Sequence, residues 1–199
     1  MKIGGYKLIF VVVGLIGVLL IATPALSIII PIPKGQQFSE VYLLGPQHTM
    51  ENYPFNITVG QNNSLYVGVT NQLGSSAYYV LYVKLKNQTD LYPNPAAGTP
   101  SAVPPLYEYR FFIQNGGNWA SLLNFSVSSA TFSENKSLVN VLTINNVAFT
   151  VNKPAAWDSD STMFSYQLLF ELWIYNAQTN TVQYNNRYVS LQLNLTQTV

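Results

Sequence analysis

The sequence is poor in charged residues and contains no cysteine. Asp, Glu, Lys and Arg make up 9% of its 199 residues, against roughly 25% in an ordinary soluble domain. The polar surface must therefore consist mostly of Asn, Gln, Ser, Thr and Tyr, which stay hydrated at acidic pH, where carboxylates lose their charge. This composition suits an acidic exterior or a surface coated by sugar. The absence of cysteine excludes disulfides, zinc–thiolate sites and thiol catalysis.

The few charged and catalytic residue types form no recognisable catalytic or nucleic-acid-binding pattern. The net charge is +1 without a basic patch, which argues against nucleic acid as a partner. His48 is the single histidine, no nucleophile motif accompanies it, and we predict that it lies in a loop. Glu108 and Glu171 fall within apolar strands and are interpreted as outward charges rather than as a catalytic acid pair.

One short acidic segment resembles a fragment of a calcium loop. Asp158, Ser159 and Asp160 carry ligand types at suitable spacing, but the glycine and the terminal glutamate of that motif are missing. We interpret the segment as a solvated turn. The sequence therefore predicts no enzyme, no cofactor and no metal site.

The N-terminal segment is apolar and uncharged from Leu8 to Ile30. As a helix, this run is long enough to span about 30 Å of hydrocarbon. Lys2 and Lys7 precede it, which favours an N-terminus inside and the bulk of the chain outside. A retained membrane anchor that contacts lipid is the preferred interpretation.

A cleaved signal peptide is the alternative interpretation of the same segment. Its apolar core would run from Leu8 to Ile21 and end at Ala22-Thr23-Pro24-Ala25, which supplies small residues for cleavage. Either interpretation exports the rest of the chain. We therefore divide the sequence into residues 1–34, an anchor or signal segment, and residues 35–199, an extracytoplasmic β-sandwich domain on the cell surface.

The pattern after Phe38 is that of an all-β, antiparallel sandwich or barrel. Runs rich in Val, Tyr, Phe, Ile and Thr recur between clusters of Gly, Asn and Pro. The predicted strands are Phe38–Leu44, Leu65–Thr70, Ala77–Lys86, Tyr107–Gln114, Trp119–Ser128, Leu138–Ile144, Val147–Val151, Phe164–Tyr175 and Tyr184–Thr196.

Three local patterns refine this prediction. Asn145-Asn146 fits a two-residue hairpin turn, because Asn tolerates positive φ. Phe164–Tyr175 also has a helix-like pattern, but its aromatic and β-branched content favours a strand. In the closing strand, Val189, Leu191, Leu193 and Leu195 alternate with polar residues, which predicts one buried face inside a sheet.

The segment from Asn87 to Leu106 carries five of the eleven prolines. Twenty or so residues without regular structure are long for a compact domain, and such loops are often functional. The alternative is a stiff crossover between two sheets, or a cover for a sheet edge. Both interpretations stay open at this point.

Sugar attachment and sugar binding both have candidate residues. Sequons occur more often than the roughly three expected by chance from this composition, and the N-glycosylation candidates are Asn56, Asn62, Asn87, Asn124, Asn135 and Asn194. Among the tryptophans, Trp119 and Trp173 are predicted to pack in the core. Trp157 is predicted to lie in a polar loop and is the best exposed candidate for stacking on a sugar.

Several segments of the sequence resemble an archaeal membrane-anchored surface-protein family named only as a domain of unknown function. The resemblance rests on Phe38–Pro46, Glu51–Pro54 and Asn56–Gly60, with a strand, a Gly-Pro turn and an E-N-Y-P segment, and extends through Leu65–Asn71 and Glu171–Asn176. It implies an archaeal cell surface and an immunoglobulin-like sandwich, and no activity. Some members carry several spans before this domain, whereas this sequence has one.

These observations lead to three hypotheses of different classes. The first is a non-enzymatic, glycosylated surface or interaction protein of an acidophilic archaeon, with the surface layer or another membrane protein as partner. The second is a homo-oligomeric filament subunit, in which an N-terminus beginning at Leu26 completes the sheet of a neighbour by strand addition. The third is a carbohydrate-binding module that uses an aromatic face.

Overall fold

A computed structural model describes residues 4–29 and 36–197 of the protein. The chain divides into two compact units, residues 1–37 and residues 38–199. The first unit holds helix α1, Gly4–Ile29, and the predicted apolar run falls on it except for Ile30, which lies outside the described residues. Within the described part of the chain, no helix has the length and apolarity needed to cross a membrane.

The second unit is built of ten strands. All nine predicted strands are present, with their bounds shifted by a few residues, and one short strand, β2, was not predicted. The strands are β1 Phe38–Leu44, β2 Asn56–Thr58, β3 Asn63–Gln72, β4 Ala77–Asn87, β5 Tyr107–Ile113, β6 Asn118–Ser133, β7 Lys136–Ile144, β8 Val147–Asp158, β9 Met163–Asn176 and β10 Thr181–Thr196.

The strands form two sheets that pack face to face as a β-sandwich. Sheet A has the order β1-β3-β6-β7-β8, and sheet B has the order β5-β4-β9-β10-β2. Neighbouring strands are antiparallel except β10 and β2, which are parallel over Asn194–Thr196. A short pairing of Trp157 with Phe164 and of Asp158 with Met163 joins β8 to β9. The predicted all-β sandwich is confirmed.

The core lies between the sheets and is filled by every second residue of each strand. In β10, Leu191, Leu193 and Leu195 are buried and Val189 packs against them, which confirms the predicted face. Strand β10 pairs with β9 along most of its length but with β2 only at its end. The prediction that this strand lies inside a sheet therefore holds only for its last residues.

Two further local predictions are confirmed. Asn145 and Asn146 have φ angles of 47° and 65°, the pair of positive values that a type I′ turn requires. Strand β9 lies between β4 and β10, so the helix-like pattern of Phe164–Tyr175 belongs to a central strand with apolar residues on both faces.

Strand β8 is longer than predicted. It was expected to end at Val151, before Pro154, but it continues to Asp158. Asn152 has a φ of 45° and a bulge shifts the register against β7 here. Because β8 is the last strand of sheet A, Pro154 removes a donor only from the sheet edge, where proline is tolerated.

The proline-rich segment joins β4 to β5, two adjacent antiparallel strands of sheet B. The interpretation as a crossover between the sheets is therefore wrong. The segment folds back onto the outer face of sheet B, where its residue Ser101 contacts Lys84 of β4 and Glu171 of β9. It also binds β8, the edge strand of sheet A, where Gln88 donates to the Ala156 carbonyl and Asp90 accepts from Lys153, so it covers a sheet face and contacts a sheet edge.

Candidate functional sites

Three of the six sequon asparagines have exposed and unengaged side chains. Asn62 lies in the turn before β3, Asn124 on the outer face of β6, and Asn135 in the turn between β6 and β7. None of the three side chains forms a hydrogen bond to a described residue. Each amide nitrogen is open to solvent, as sugar attachment requires.

Two other candidates are paired with each other. The Asn194 Nδ2 donates to the Asn56 Oδ1 over 2.8 Å, across the parallel pairing of β10 and β2. Asn56 is exposed and Asn194 is half-buried. A sugar on Asn194 has to replace this contact, whereas Asn56 contributes only its oxygen and keeps its nitrogen free.

Asn87 is the candidate least suited to carry a sugar. It is 7% exposed, and its Nδ2 donates to the Pro154 carbonyl oxygen over 2.7 Å. Its Oδ1 accepts from the backbone nitrogens of Thr89 and Asp90. This amide organises the start of the proline-rich segment and ties it to β8.

The three tryptophans occupy different environments. Trp119 stacks on Phe111 with ring centroids 3.8 Å apart and packs against the core as predicted. Trp173 was also predicted to lie in the core, but it is half-buried on the outer face of sheet B, beside Tyr82 and Tyr184. Trp173 faces outward because side chains alternate along β9 and the preceding residue, Leu172, faces the core. Trp157 is 43% exposed, as predicted, but it lies near the end of β8 rather than in a loop, because its pairing with Phe164 extends the strand.

Trp157 forms one wall of an open cleft at an end of the sandwich, which we call the Trp157 cleft. The cleft has a volume of about 450 Å³. The Trp157 ring lies edge-on to the Phe164 ring, with 5.0 Å between the ring centroids. The centroids of the Phe132 and Phe164 rings are 5.9 Å apart. The lining residues are Phe132, Ser133, Glu134, Trp157, Phe164 and Gln197.

The acidic segment beside the cleft is a turn, as predicted. Asp158 Oδ1 accepts from the Asp160 backbone nitrogen over 3.0 Å, and Oδ2 accepts from the Ser161 hydroxyl over 2.6 Å. The bond from Ser161, followed by that from Asp160, lowers the pKa of Asp158. Both carboxylate oxygens serve the turn. In residues 4–29 and 36–197 no group of three or more His, Cys, Asp or Glu could hold a metal ion.

A buried ion pair fixes the proline-rich segment to sheet B. Lys84 Nζ lies 2.7 Å from Glu171 Oε2, and the two side chains are 4% and 0% exposed. Lys84 also donates to the Ser101 carbonyl over 2.9 Å, and the Ser101 backbone nitrogen donates to Glu171 Oε1 over 2.9 Å. The Lys84 ammonium, the Glu171 carboxylate and the Ser101 backbone are therefore each hydrogen-bonded to the other two. Buried charges need such partners to offset the loss of hydration.

The next lysine of β4 contributes to the same attachment. Lys86 Nζ donates to the Asn87 carbonyl over 2.9 Å and lies 4.1 Å from the centre of the Tyr92 ring. Burial lowers the pKa of Lys86. At the start of the segment, Asp90 accepts from Lys153 over 2.8 Å.

Glu108 and Glu171 do not form an acid pair. Both lie on the outer face of sheet B, but Glu108 binds Arg110 at the surface over 2.6 Å, while Glu171 binds Lys84 beneath the proline-rich segment. Glu171 points outward as predicted, yet it is fully covered. His48 lies in the loop after β1, as predicted, with its ring edge-on to Tyr66.

A second open feature, the β1–β10 groove, lies where the edges of the two sheets meet. It has a volume of about 360 Å³. At its side, Arg187 Nε donates to the Ser39 carbonyl over 3.2 Å, and the Tyr53 hydroxyl donates to the Leu43 carbonyl over 2.8 Å. The lining residues are mainly apolar: Val41, Tyr42, Leu43, Tyr53, Val189, Ser190 and Leu191.

Comparison with protein families gives one match. The family model described as a domain of unknown function (DUF1616) matches residues 32–153, which is more than half of the chain. No curated protein matches the chain.

Among solved structures, the chain is similar to parts of several larger proteins and to one small domain. It matches a β-glucosidase from Listeria innocua at 8% identity and a TM-score of 0.38, covering 80% of this chain but only 16% of that one. A β-glucuronidase from Bacteroides uniformis gives 10% identity, a TM-score of 0.36, and coverage of 78% and 13%. The CARDB domain of a Pyrococcus furiosus protein gives 8% identity, a TM-score of 0.39, and coverage of 81% and 90%.

Proposed function

We propose that this chain, which belongs to the family of the domain of unknown function DUF1616, is a non-enzymatic, glycosylated cell-surface protein. Its immunoglobulin-like sandwich is presented outside the cytoplasm in a structural or interaction role. The apolar run from Leu8 to Ile30 attaches it to lipid as an anchor, or directs its export as a signal. Its partner is the surface layer or another membrane protein of an acidophilic archaeon.

The observation that carries this proposal is the placement of the free sequons. Asn62, Asn124 and Asn135 are exposed on three separate elements and bind no described residue through their side chains. Sugar can be attached to these residues without breaking a side-chain hydrogen bond of the fold. A surface with few charges and several attached sugars stays hydrated at acidic pH, where carboxylates are neutralised.

Protease accessibility tests the topology. Protease added to intact cells, after removal of the surface layer, should digest the sandwich and leave cytoplasmic proteins whole. Protection until the cells are lysed would overturn the proposal.

Mass spectrometry of the native protein tests its modification. We expect sugar on one or more of Asn62, Asn124 and Asn135, and the mass of the N-terminal peptide distinguishes an anchor from a cleaved signal. Substitution of all three by Gln should increase the electrophoretic mobility of the protein. An unmodified native protein would remove the glycoprotein part of the proposal.

A second candidate function, assembly into a filament, is favoured by the β1–β10 groove. Within the described residues, β10 has a strand partner on only one side from Val189 to Gln192. Leu26, Ile28, Ile30 and Ile32 recur at every second position, so as a strand they share one face. That face has the apolar character needed to fill the groove of a second copy.

Substitution within the groove separates this candidate from a monomeric surface protein. If cleavage exposes Leu26 and the N-terminal strand enters the groove, Val41→Arg should abolish assembly. Leu122→Arg, on the exposed outer face of β6, should not. A native N-terminus at Met1, or assembly that survives Val41→Arg, would exclude it.

A further inference from the structure

The Trp157 cleft lies directly beside a sequon. Strand β6 ends at Ser133 and β7 begins at Lys136, which places Asn135 in the turn that borders the cleft. The Trp157 backbone nitrogen donates to the Asn135 carbonyl over 2.9 Å. The turn is therefore attached to the strand that carries the exposed indole ring.

The lining of the cleft suits a sugar ring. Trp157 and the half-buried Phe132 supply aromatic surface, and Phe164 closes the inner side at 8% exposure. Aromatic rings of this kind pack well against groups that are apolar on one side and polar on the other. Ser133, Glu134 and Gln197 add hydrogen-bonding groups for hydroxyls. The volume of about 450 Å³ lies within the range of small-ligand sites.

We propose that the Trp157 cleft holds the first sugars of a glycan carried by Asn135. The glycan stacks on Trp157 and Phe132 and fastens the β6–β7 turn to the end of the sandwich. The inference rests on the proposed glycosylation and specifies one site and one function for it. Asn135 follows the lining residues Ser133 and Glu134 directly, whereas no residue adjacent in sequence to Asn62 or Asn124 lines the cleft.

Attachment explains why an open cleft can retain a sugar. A free saccharide that enters such a cleft loses translational and rotational freedom, which offsets most of a weak stacking interaction. A sugar linked to the neighbouring turn is already held at high effective concentration, so a modest interaction is sufficient. The same cleft is therefore better suited to the protein's own glycan than to a soluble ligand.

The test uses the full-length glycoprotein purified from its native host. Asn135→Gln removes the proposed glycan, and Asn124→Gln removes a sugar at an exposed site away from the cleft. We expect Asn135→Gln to lower the melting temperature by about 2–4 °C, the shift that 1 kcal/mol produces in a domain of this size. Asn124→Gln should leave it nearly unchanged.

A double-substitution cycle assigns the effect to the indole ring. Trp157→Leu keeps an apolar side chain but removes the aromatic face, and in that background Asn135→Gln should no longer lower the melting temperature. Enzymatic removal of the glycans from the folded wild-type protein should give the same shift as Asn135→Gln. Equal shifts for Asn135→Gln with and without Trp157 would overturn the inference.

The outcomes distinguish this inference from the proposed function. Sugar on Asn62 or Asn124 but not on Asn135 would overturn the inference and leave the glycoprotein proposal in place. A native protein without sugar would overturn both. Binding of soluble saccharides by the Asn135→Gln variant, abolished by Trp157→Leu, would show instead that the cleft is a ligand site.

Discussion

In both sheets, every second residue of a strand faces outward, but the outward residues of the two sheets differ in their exposure to water. On sheet A, most outward residues of β6, among them Asn118, Leu122 and Asn124, are exposed. On sheet B, Lys84 and Glu171 also point outward, yet both are buried where Ser101 of the proline-rich segment contacts them. Alternation along a strand therefore determines which side a residue faces, whereas loops and neighbouring side chains determine whether that side contacts water.

The largest expected effect comes from breaking the covered ion pair of sheet B. Lys84→Ala leaves the Glu171 carboxylate buried without its cation, and we expect a loss of about 3–5 kcal/mol in unfolding free energy. Equilibrium denaturation in urea measures this loss.

Two variants sharpen that result. Replacement of the pair by Lys84→Met with Glu171→Leu should recover part of the stability, because no buried charge remains, while the Ser101 backbone groups lose their partners. Arg110→Ala, which breaks the exposed pair with Glu108 on the same sheet, should change stability too little to measure. A mild effect of Lys84→Ala alone would show that water reaches the pair and that the segment does not seal this face.

The sequence contained part of the signal for this covered face. Lys84, Lys86 and Glu171 are charges within apolar strands of a chain with few charges, and the proline-rich segment follows β4 directly. Period-two alternation places Glu171 outward, but partners from a loop distant in sequence cannot be assigned by periodicity. Strand β2 was missed for a similar reason, because its three residues are held by pairing with β10.

A second prediction compares the inner and outer faces of a single strand of sheet B. Leu193 is fully buried, and Leu193→Ala should lower the unfolding free energy by about 2–5 kcal/mol through the cavity it leaves. Gln192, its exposed neighbour in β10, lies outside the covered area. Gln192→Ala should therefore cost little in the same denaturation experiment. Equally mild effects would contradict the assigned register of β10.

A third prediction concerns sheet A, where a side chain rather than a loop covers part of the outer face. Tyr42 of β1 is paired with Gly68 of β3, and a Cβ on Gly68 would lie 2.2 Å from the tyrosine ring. Gly68→Ala should therefore displace the ring at a cost of about 1–3 kcal/mol, the usual penalty for overpacking. The tyrosine hydroxyl also accepts from Asn118 Nδ2 over 3.2 Å.

The control for this variant is the same substitution after removal of the ring. In a Tyr42→Ala background, Gly68→Ala has space and replaces a flexible residue within a strand, so it should be neutral or stabilising. A loss of stability on Gly68→Ala that persists without Tyr42 would show that the strain lies in the backbone of β3 rather than in the contact with the tyrosine ring.

The smallest expected effect is the response of the two faces to acid. Burial of Asp90 raises its pKa, but the hydrogen bonds from Lys153 and from the Asn87 backbone outweigh it, and the net pKa lies below the ordinary 3.8. A carboxyl with a depressed pKa in the folded state stabilises the protein above its unfolded pKa, and this contribution is lost as the pH falls through the folded value.

Acid should therefore destabilise the protein only at low pH, by protonating Asp90, which attaches the proline-rich segment to Lys153. With eight carboxylates in the chain, we expect nearly constant unfolding free energy from pH 7 to about pH 5, and a decline only as Asp90 and other carboxyls with depressed pKa become protonated below about pH 4. Asp90→Asn should lower stability at neutral pH and flatten that decline, because its side chain no longer titrates. A fall of several kcal/mol between pH 6 and pH 3 that Asp90→Asn leaves unchanged would show that this attachment is not the acid-sensitive part of sheet B.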